Sequence, residues 1–470
     1  MRPDLRIETE SHVSAYSRGV RVVDNARATI PQAPGALPII GHARQFLSAP
    51  LRFVSELPRY GDVVRMRLGP SRVDFVCDPA LTNTVLRDDA TFDRGGVLFD
   101  RVREIVGEGL GNCPHSEHRW QRLMLQPVFT PAKVREYVPL MAEQIDAVTR
   151  GWRDSQVLDV LAETSLITSK TLVATLLSSS LPESVSRAAH DDLQVITNAV
   201  TRRMLMPRVL DRLPTPGKRR YDRARKCLRD TVTAIVDDRR SNADDRDDLI
   251  STLLAARHPT GRPLTDTEIF DQVVSFFLAG TETTADVLAW AAHLVSTDPG
   301  IQARLHAEVD TLPAEFAVTA EDLDRLELTG RIITETLRMY PPLWFLTRTV
   351  TADTELGSNV IPAGSTVAYS AYLLHHRPDL YEHPDRFDPD RWLPERAAGI
   401  PRNASIPFGT GRRKCIGDGF AVAETTLALA TMIRRWQLEP LAGQHVRPAR
   451  VGMLRPHALR IRVRSRPAAR

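Results

Sequence analysis

Cysteine is scarce in this chain: four in 470 residues, at Cys77, Cys113, Cys227 and Cys415. They lie far apart and form no CxxC pair. That spacing excludes a disulfide framework and a zinc ribbon, and it fits a reducing compartment. No apolar run reaches the about 20 residues that span a bilayer. The start of the chain, Met1-Arg-Pro-Asp-Leu-Arg-Ile-Glu8, is charged and lacks the apolar core of a signal peptide. The expected location is the cytoplasm, with no membrane anchor. The 62 basic and 58 acidic residues are interleaved, for a net charge of +4. No basic stripe alternates with stacking aromatics, so nucleic acid is not an expected partner. No internal repeat is visible, and no Gly/Ser-rich linker divides the chain.

What is present points to a mainly α fold with small β-sheets (α+β). Residues 1–30 read as a flexible lead-in and 31–470 as one large domain. Pro31–His42 is proline-rich and should lie extended over the fold. Over Asp62–Asp78, Val64, Met66 and Leu68 alternate with Arg65 and Arg67. Gly69-Pro70-Ser71 then leads into Val73, Phe75 and Cys77. This is the pattern of a hairpin with one buried face. Helical patterns dominate 116–345. Asp244-Asp-Arg-Asp-Asp248 reads as a charged, solvated loop or helix entry. Thr265 and Glu268 form a capping-box signature that opens a helix of thirty-odd residues, ending near Thr297 before Asp298-Pro299. Short strands return over about 348–370, and the last strands are expected after 445.

Cys415 stands out for its setting, Phe408-Gly-Thr-Gly-Arg-Arg-Lys-Cys-Ile-Gly417, directly before a helix. A helix N-terminus and three adjacent cations favour thiolate. The glycines let the backbone approach a large flat ligand. A one-cysteine site of this kind suits haem iron. An inert buried cysteine would leave the glycines and arginines unexplained. The long helix carries a second anomaly, Phe276-Phe-Leu-Ala-Gly280-Thr-Glu-Thr-Thr284. A glycine and three threonines are poor helix formers, and such local rule-breaking often marks function. Gly280 removes a side chain where a ligand could approach the backbone. The Thr283 hydroxyl competes for helix hydrogen bonds and can open a bulge. Glu335 and Arg338 share one helix face three residues apart, a spacing that is common by chance.

These residues resemble the cytochrome P450 family of haem-thiolate monooxygenases. Its pattern of Phe, two residues, Gly, one, Arg, one, Cys, one, Gly is met by Phe408, Gly411, Arg413, Cys415 and Gly417. Phe420, Ala421 and Glu424 continue it into the next helix. The resemblance implies a haem b cofactor with Cys415 as iron ligand, and a long central helix over the haem. It further implies dioxygen as co-substrate. Electrons would come from NAD(P)H through a separate ferredoxin and ferredoxin reductase, since no flavin or iron–sulfur segment is fused to this chain. Thr283 then takes the role of oxygen-handling alcohol, with Glu282 beside it as proton donor. Ala279 and Gly280 line the ring. His118, Arg122, Arg348 and Arg413 meet the haem propionates, with Phe408 and Gly417 flanking the sulfur. Glu335, Arg338 and Arg386 form a buried structural triad behind the thiolate loop.

The pocket segments implied are Phe92–Val106, Phe276–Ala279 and Leu343–Leu346, with the turn near Gly452-Met453 joining them. Their apolar members are Val97, Leu98, Phe99, Phe276, Phe277, Trp344 and Phe345, while Arg94 and Arg101 are expected in solvent. A lipophilic guest follows. Thr91-Phe-Asp-Arg-Gly-Gly96 and Tyr372-Leu-Leu-His-His-Arg-Pro-Asp379 are similar to segments of actinobacterial terpene oxidases. A terpene of secondary metabolism is the preferred substrate, with polyketide, steroid or fatty acid as alternatives. The expected assembly is a monomer. Arg412, Lys414 and Arg119 are candidates for the docking patch of an acidic electron donor. A haem sensor or carrier without oxygenase activity would have no need of Thr283 and Glu282. A cysteine hydrolase would need a histidine base at Cys415, and no local signature supplies one.

Overall fold

A computed structural model describes residues 29–466, apart from 97–98, 101, 104–106, most of 178–213, 242–247, 313–318 and 450–451. The expected lead-in therefore lies almost wholly outside the described residues, as do Val97, Leu98, Arg101 and most of the Asp244–Asp248 run. Asp248 itself is described and is not solvated. It is 1 % exposed, caps the helix Leu249–Ala255 through the Ser251 N–H at 2.8 Å, and pairs with Arg239.

The hairpin forms where the alternation placed it. Strands β1 (Val63–Leu68) and β2 (Ser71–Val76) pair antiparallel, with Met66 opposite Val73 and Gly69 turning at φ +60°. With β3 (Phe92–Asp93), β4 (Phe345–Val350) and β5 (Thr366–Ser370) they make one sheet in the order β1-β2-β5-β4-β3. Alternation divides its side chains between two cores. Val64, Met66, Val73 and Phe75 pack with Phe53, Ala368 and Trp344. Val63, Val76, Val350, Val367 and Tyr369 form the other cluster. The proline-rich entry lies along this sheet through bridges Gln32–Arg65 and Gly41–Leu68.

Among the helices of the remainder are α1 (His115–Leu125), α2 (Val160–Leu176), α3 (Asp266–Ser296), α4 (Glu327–Met339) and α5 (Asp418–Arg435). Helix α3 has 31 residues, a length of about 46 Å at the α-helical rise. Its capping box is complete: the Thr265 hydroxyl accepts the Glu268 N–H at 3.2 Å, and Glu268 accepts the Thr265 N–H at 2.8 Å. It packs on α2, α4 and α5 and runs through the largest hydrophobic cluster. Three strands fall outside the expected places. Phe92–Asp93 pairs with β4, Val157–Asp159 lies inside the helical region, and Trp436–Pro440 begins before 445; the last two pair with Arg460–Ser465. Segments of two to five residues are too short for periodicity to reveal.

Candidate active site

The loop before α5 is shaped by its glycines. Gly409 and Gly411 hold φ of +69° and +71°, a region costly for any residue with a β-carbon. At Gly411 that carbon would also stand 2.7 Å from the Leu86 carbonyl oxygen. The loop closes as the Cys415 N–H donates to the Phe408 carbonyl at 2.9 Å. Arg122, on α1, donates to the Lys414 carbonyl at 2.7 Å. Protein crowds the Cys415 thiol and pushes its pKa up. The Gly417 N–H and the Arg122 and Lys414 cations offset this only in part. The thiolate expected from the sequence is thus not secured by neighbouring charge; an ion that takes the place of the proton is needed. The residue keeps an exposed face through which a metal could reach it.

A cluster of cations lies beside this loop. Arg413 is met on every side: Asp89 at 3.2 Å, Asp93 at 2.9 Å and the Cys113 carbonyl at 2.8 Å. Arg348, only 1 % exposed, has no carboxylate among the described residues. It donates to the Thr347 carbonyl at 3.4 Å and sits 5.7 Å from the Tyr369 ring centre. Arg94 stacks over Phe99 at 4.7 Å, and its buried Nε has no hydrogen-bond partner among the described residues. Burial, with repulsion from Arg348 and Arg413, lowers its pKa to about 9. Arg94 was expected in solvent; it is half-buried, with its guanidinium against Phe99. His118, 5 % exposed, is pushed down to about 3 by burial and by Arg413, Arg122 and Arg94, against the pull of Asp89. Buried charge without a partner is costly. Two arginines beyond those that Asp89 and Asp93 neutralise fit a guest with two negative charges, as haem has in its propionates. The residues present therefore fit the group.

Helix α3 remains α-helical through its anomalous stretch, so no bulge is opened at Thr283. Instead the hydroxyls bond back along the helix. Thr283 donates to the Ala279 carbonyl at 2.5 Å and Thr281 to that of Phe277 at 2.7 Å. Ala279 is exposed and Thr283 half-buried, which leaves this edge of α3 open. Gly280 has a different reason from the one expected. A β-carbon there would stand 2.2 Å from Leu172 Cδ1 on α2. Glu282 is 4 % exposed and does not bond to Thr283; its carboxylate is turned to Arg455, which also lies 3.6 Å from Asp286. Arg455 and Asp286 were missed by sequence reasoning. The available signal was one carboxylate within the apolar run Ala285–Ala292.

A family model for cytochrome P450 matches residues 31–461. The chain belongs to the cytochrome P450 family. Pentalenene oxygenase of Streptomyces avermitilis is 42% identical over 92% of this chain and 97% of its own. Cyclooctat-9-en-7-ol 5-monooxygenase of Streptomyces melanosporofaciens is 42% identical over 88% and 91%. Human lanosterol 14-alpha demethylase is 27% identical over 87% and 81%. This P450 is a monooxygenase, and membership implies haem, dioxygen and an external electron donor.

The buried glutamate behind the P450 loop is Glu335, and it accepts five hydrogen bonds. Arg338 gives two at 2.8 Å, Trp392 one at 2.9 Å, the Asp388 N–H one at 3.2 Å and Arg391 one at 3.3 Å. The third member of the triad is therefore Arg391, not Arg386. The Arg386 residue is exposed and contributes only its carbonyl, 3.4 Å from Arg338. The 3-10 turn Pro389–Trp392 carries Arg391 to the carboxylate, whereas Arg386 lies on the open loop before it. His375, fully buried, completes the link to the thiolate loop. Its Nδ1 donates to the Arg338 carbonyl at 3.0 Å, and its Nε2 accepts the Ile406 N–H at 2.9 Å.

Of the expected pocket residues, Phe99 is buried under Arg94, and Phe276 stacks on Phe129 at 5.1 Å. Among the described residues, Phe129 is also the group that a β-carbon at Gly417 would meet, at 3.7 Å. Trp344 belongs to the core rather than to a pocket wall. It is 5 % exposed, packs beside Phe46, and donates its indole N–H to the Gly452 carbonyl at 2.8 Å. Phe345 is half-buried between Phe46 and Phe75. Among the described residues, no helix is long and apolar enough to cross a membrane.

Proposed function

We propose that this chain is a haem-thiolate monooxygenase that hydroxylates a terpene in secondary metabolism, acting in the cytoplasm as one domain over 31–470. The observation that carries the haem assignment is the excess of guanidinium next to the loop that presents Cys415, at half-buried Arg94 and fully buried Arg348. The terpene assignment rests on the two relatives at 42% identity, whose names give pentalenene and cyclooctat-9-en-7-ol as what they act on. The apolar Phe99, Phe276, Ala279 and Phe345 suit such a guest.

Each group then has a task. Bound haem supplies the dioxygen activation and the C–H oxidation. Cys415 would hold the haem iron, on a loop whose glycines and Arg122 contact fix its path. Arg94, Arg348 and Arg413 anchor the propionates, with His118 beside them. Thr283 orients water and dioxygen on the open edge of α3, and Glu282 hands in protons. Glu335, Arg338, Arg391 and His375 hold the thiolate loop in place. Electrons come from NAD(P)H through a separate ferredoxin and reductase. Arg119, Arg412 and Lys414, all exposed, form the patch that receives the acidic carrier.

The test is the spectrum of the reduced, carbon-monoxide-bound protein, which separates thiolate from histidine ligation. Cys415→Ala is expected to abolish the thiolate band, and its persistence would rule out this ligand. Titration with a panel of terpene hydrocarbons is expected to shift the haem spin state. A response confined to carboxylated or polar compounds would end the terpene assignment.

A further inference from the structure

Two carboxyls and one guanidinium are buried together behind the oxygen-handling edge of α3. Glu282 and Asp286 are four residues apart, and so on one helix face. They are 4 % and 1 % exposed. Arg455 donates to one Glu282 oxygen, and its Nε lies 3.6 Å from Asp286 Oδ1. The other Glu282 oxygen and both Asp286 oxygens have no hydrogen-bond partner among the described residues. Such orphaned acceptors are rare and call for a reason.

The backbone that carries Arg455 cannot drift. Gly452 is held by the Trp344 indole at 2.8 Å, and Leu454 by the Trp290 indole at 2.6 Å and the Pro342 carbonyl at 3.2 Å. Trp290 is itself stacked flat on Tyr340 at 3.8 Å. Freedom is therefore left to the Arg455 side chain, which at 15% exposure is the least buried member of the trio. Were both acids ionised, the trio would bury an uncompensated negative charge, which a low-dielectric interior strongly disfavours. One proton stays, and it belongs on the acid that Arg455 does not hydrogen-bond.

We propose that Asp286 and Arg455 complete a relay with Glu282, in which two carboxyls share one proton under a single guanidinium and Asp286 resupplies Glu282. In this step one O–H bond breaks at Asp286 and one forms at Glu282, while Arg455 swings from Glu282 to Asp286. No electrons move, and the trio keeps the same net charge before and after. When Glu282 has given its proton away, Arg455 returns and Asp286 takes a proton from water on the Arg455 side. Asp286 and Arg455 act through Glu282 and are positioning residues, so the inference rests on the reading of Glu282 as proton donor. Burial, with Glu282 nearby, outweighs the pull of Arg455 and raises Asp286 to about 8. Arg455 and Glu282 are the charges that act on it among the described residues. The store is thus filled at neutral pH and empties as pH rises through that value.

The experiment uses the haem-loaded protein and its Asp286→Asn, Asp286→Glu, Arg455→Lys and Glu282→Gln variants. Product and peroxide are measured per NAD(P)H from about pH 6 to about pH 9. A general acid is worth at least about a hundredfold, so a group that only refills one is expected to change the product-to-peroxide ratio about tenfold. Asp286→Asn should lose that factor and the fall through pH 8, with KM unchanged, and Asp286→Glu should restore both. Arg455→Lys, which keeps the charge, should retain most of the coupling. Infrared difference spectra, wild type minus Asp286→Asn, give a readout apart from turnover. They should show one protonated carboxyl at pH 7 that is lost above about pH 8. The subtraction removes the buried carboxyl of Glu424, which both proteins share. Full coupling in Asp286→Asn while Glu282→Gln uncouples would overturn the relay alone, as would absence of the carboxyl band. Full coupling in Glu282→Gln would remove the proton-donor reading and the relay together.

Discussion

Glu335 and Glu282 are both buried helical glutamates facing arginine, and their charges are met in opposite ways. Glu335 has two guanidiniums, an indole and a backbone amide on its two oxygens. Glu282 shares a single guanidinium with Asp286, and three of the four carboxyl oxygens there go without a hydrogen bond among the described residues. A fully satisfied network in a low-dielectric interior has one arrangement and resists change. A half-satisfied one has several of similar energy, which suits a place where protons move and is a poor way to hold a fold together. The first cluster lies behind the thiolate loop, which must not shift. The second lies beside Thr283, the alcohol proposed to handle dioxygen.

Breaking the satisfied cluster should have the largest effect. Glu335→Gln leaves two buried guanidiniums short of charge and is expected to cost about 3–5 kcal/mol, read as lost stability to denaturant and lost haem retention. Arg391→Ala should cost about 2–3 kcal/mol, since Arg338 still covers one side of the carboxylate. Arg386→Ala should stay within about 0.5 kcal/mol, as befits an exposed side chain. A larger loss at Arg386 than at Arg391 would show the triad to be wrongly composed.

The unsatisfied cluster should reveal itself through pH. Asp286 is raised to about 8 in the folded chain, against about 3.9 for an unfolded aspartate. Between these values the folded chain keeps a proton that the unfolded chain has lost. Stability should therefore fall as pH rises from about 4 to 8, and Asp286→Asn should flatten that slope. Melting temperatures of the two proteins across this range make the check. Parallel curves would mean that Asp286 is ionised in the fold, and the contrast with Glu335 would fail.

The sequence made local chemistry legible and left long-range complementarity obscure. Loop glycines at positive φ, the Thr265–Glu268 capping box and the Met66–Val73 hairpin all depend on near neighbours, and each is readable from spacing. The partner of Glu335 is not. Arg386 and Arg391 lie in one short segment, and only the turn at Pro389–Trp392 decides which side chain reaches inward. Arg455 meets Glu282 across 173 positions, a pairing that no local rule announces. Arg94 was misplaced for a related reason. A lone arginine next to glycines looks solvated until the sheet and α1 close around it.

Gly280 gives the smallest and sharpest comparison, because two explanations of one glycine make opposite forecasts. An alanine in a helix interior gains about 1 kcal/mol over glycine. Here its β-carbon would stand 2.2 Å from Leu172 Cδ1, the far end of a buried side chain on α2. Overpacking of this kind costs about 1–3 kcal/mol, so Gly280→Ala alone should be destabilising by about 1 kcal/mol. Shortening the neighbour with Leu172→Val should reverse the sign, with a coupling of about 1–2 kcal/mol in the double-mutant cycle. That result would mean that α3 is pinned on its α2 side, where the Thr168 hydroxyl also holds the Thr281 carbonyl at 3.0 Å. Rearrangement around Glu282 would then be confined to the side of Arg455. If Gly280→Ala leaves stability untouched and weakens haem binding instead, the glycine serves the cofactor face, and α3 is not fixed by packing where its carboxylates are loosest.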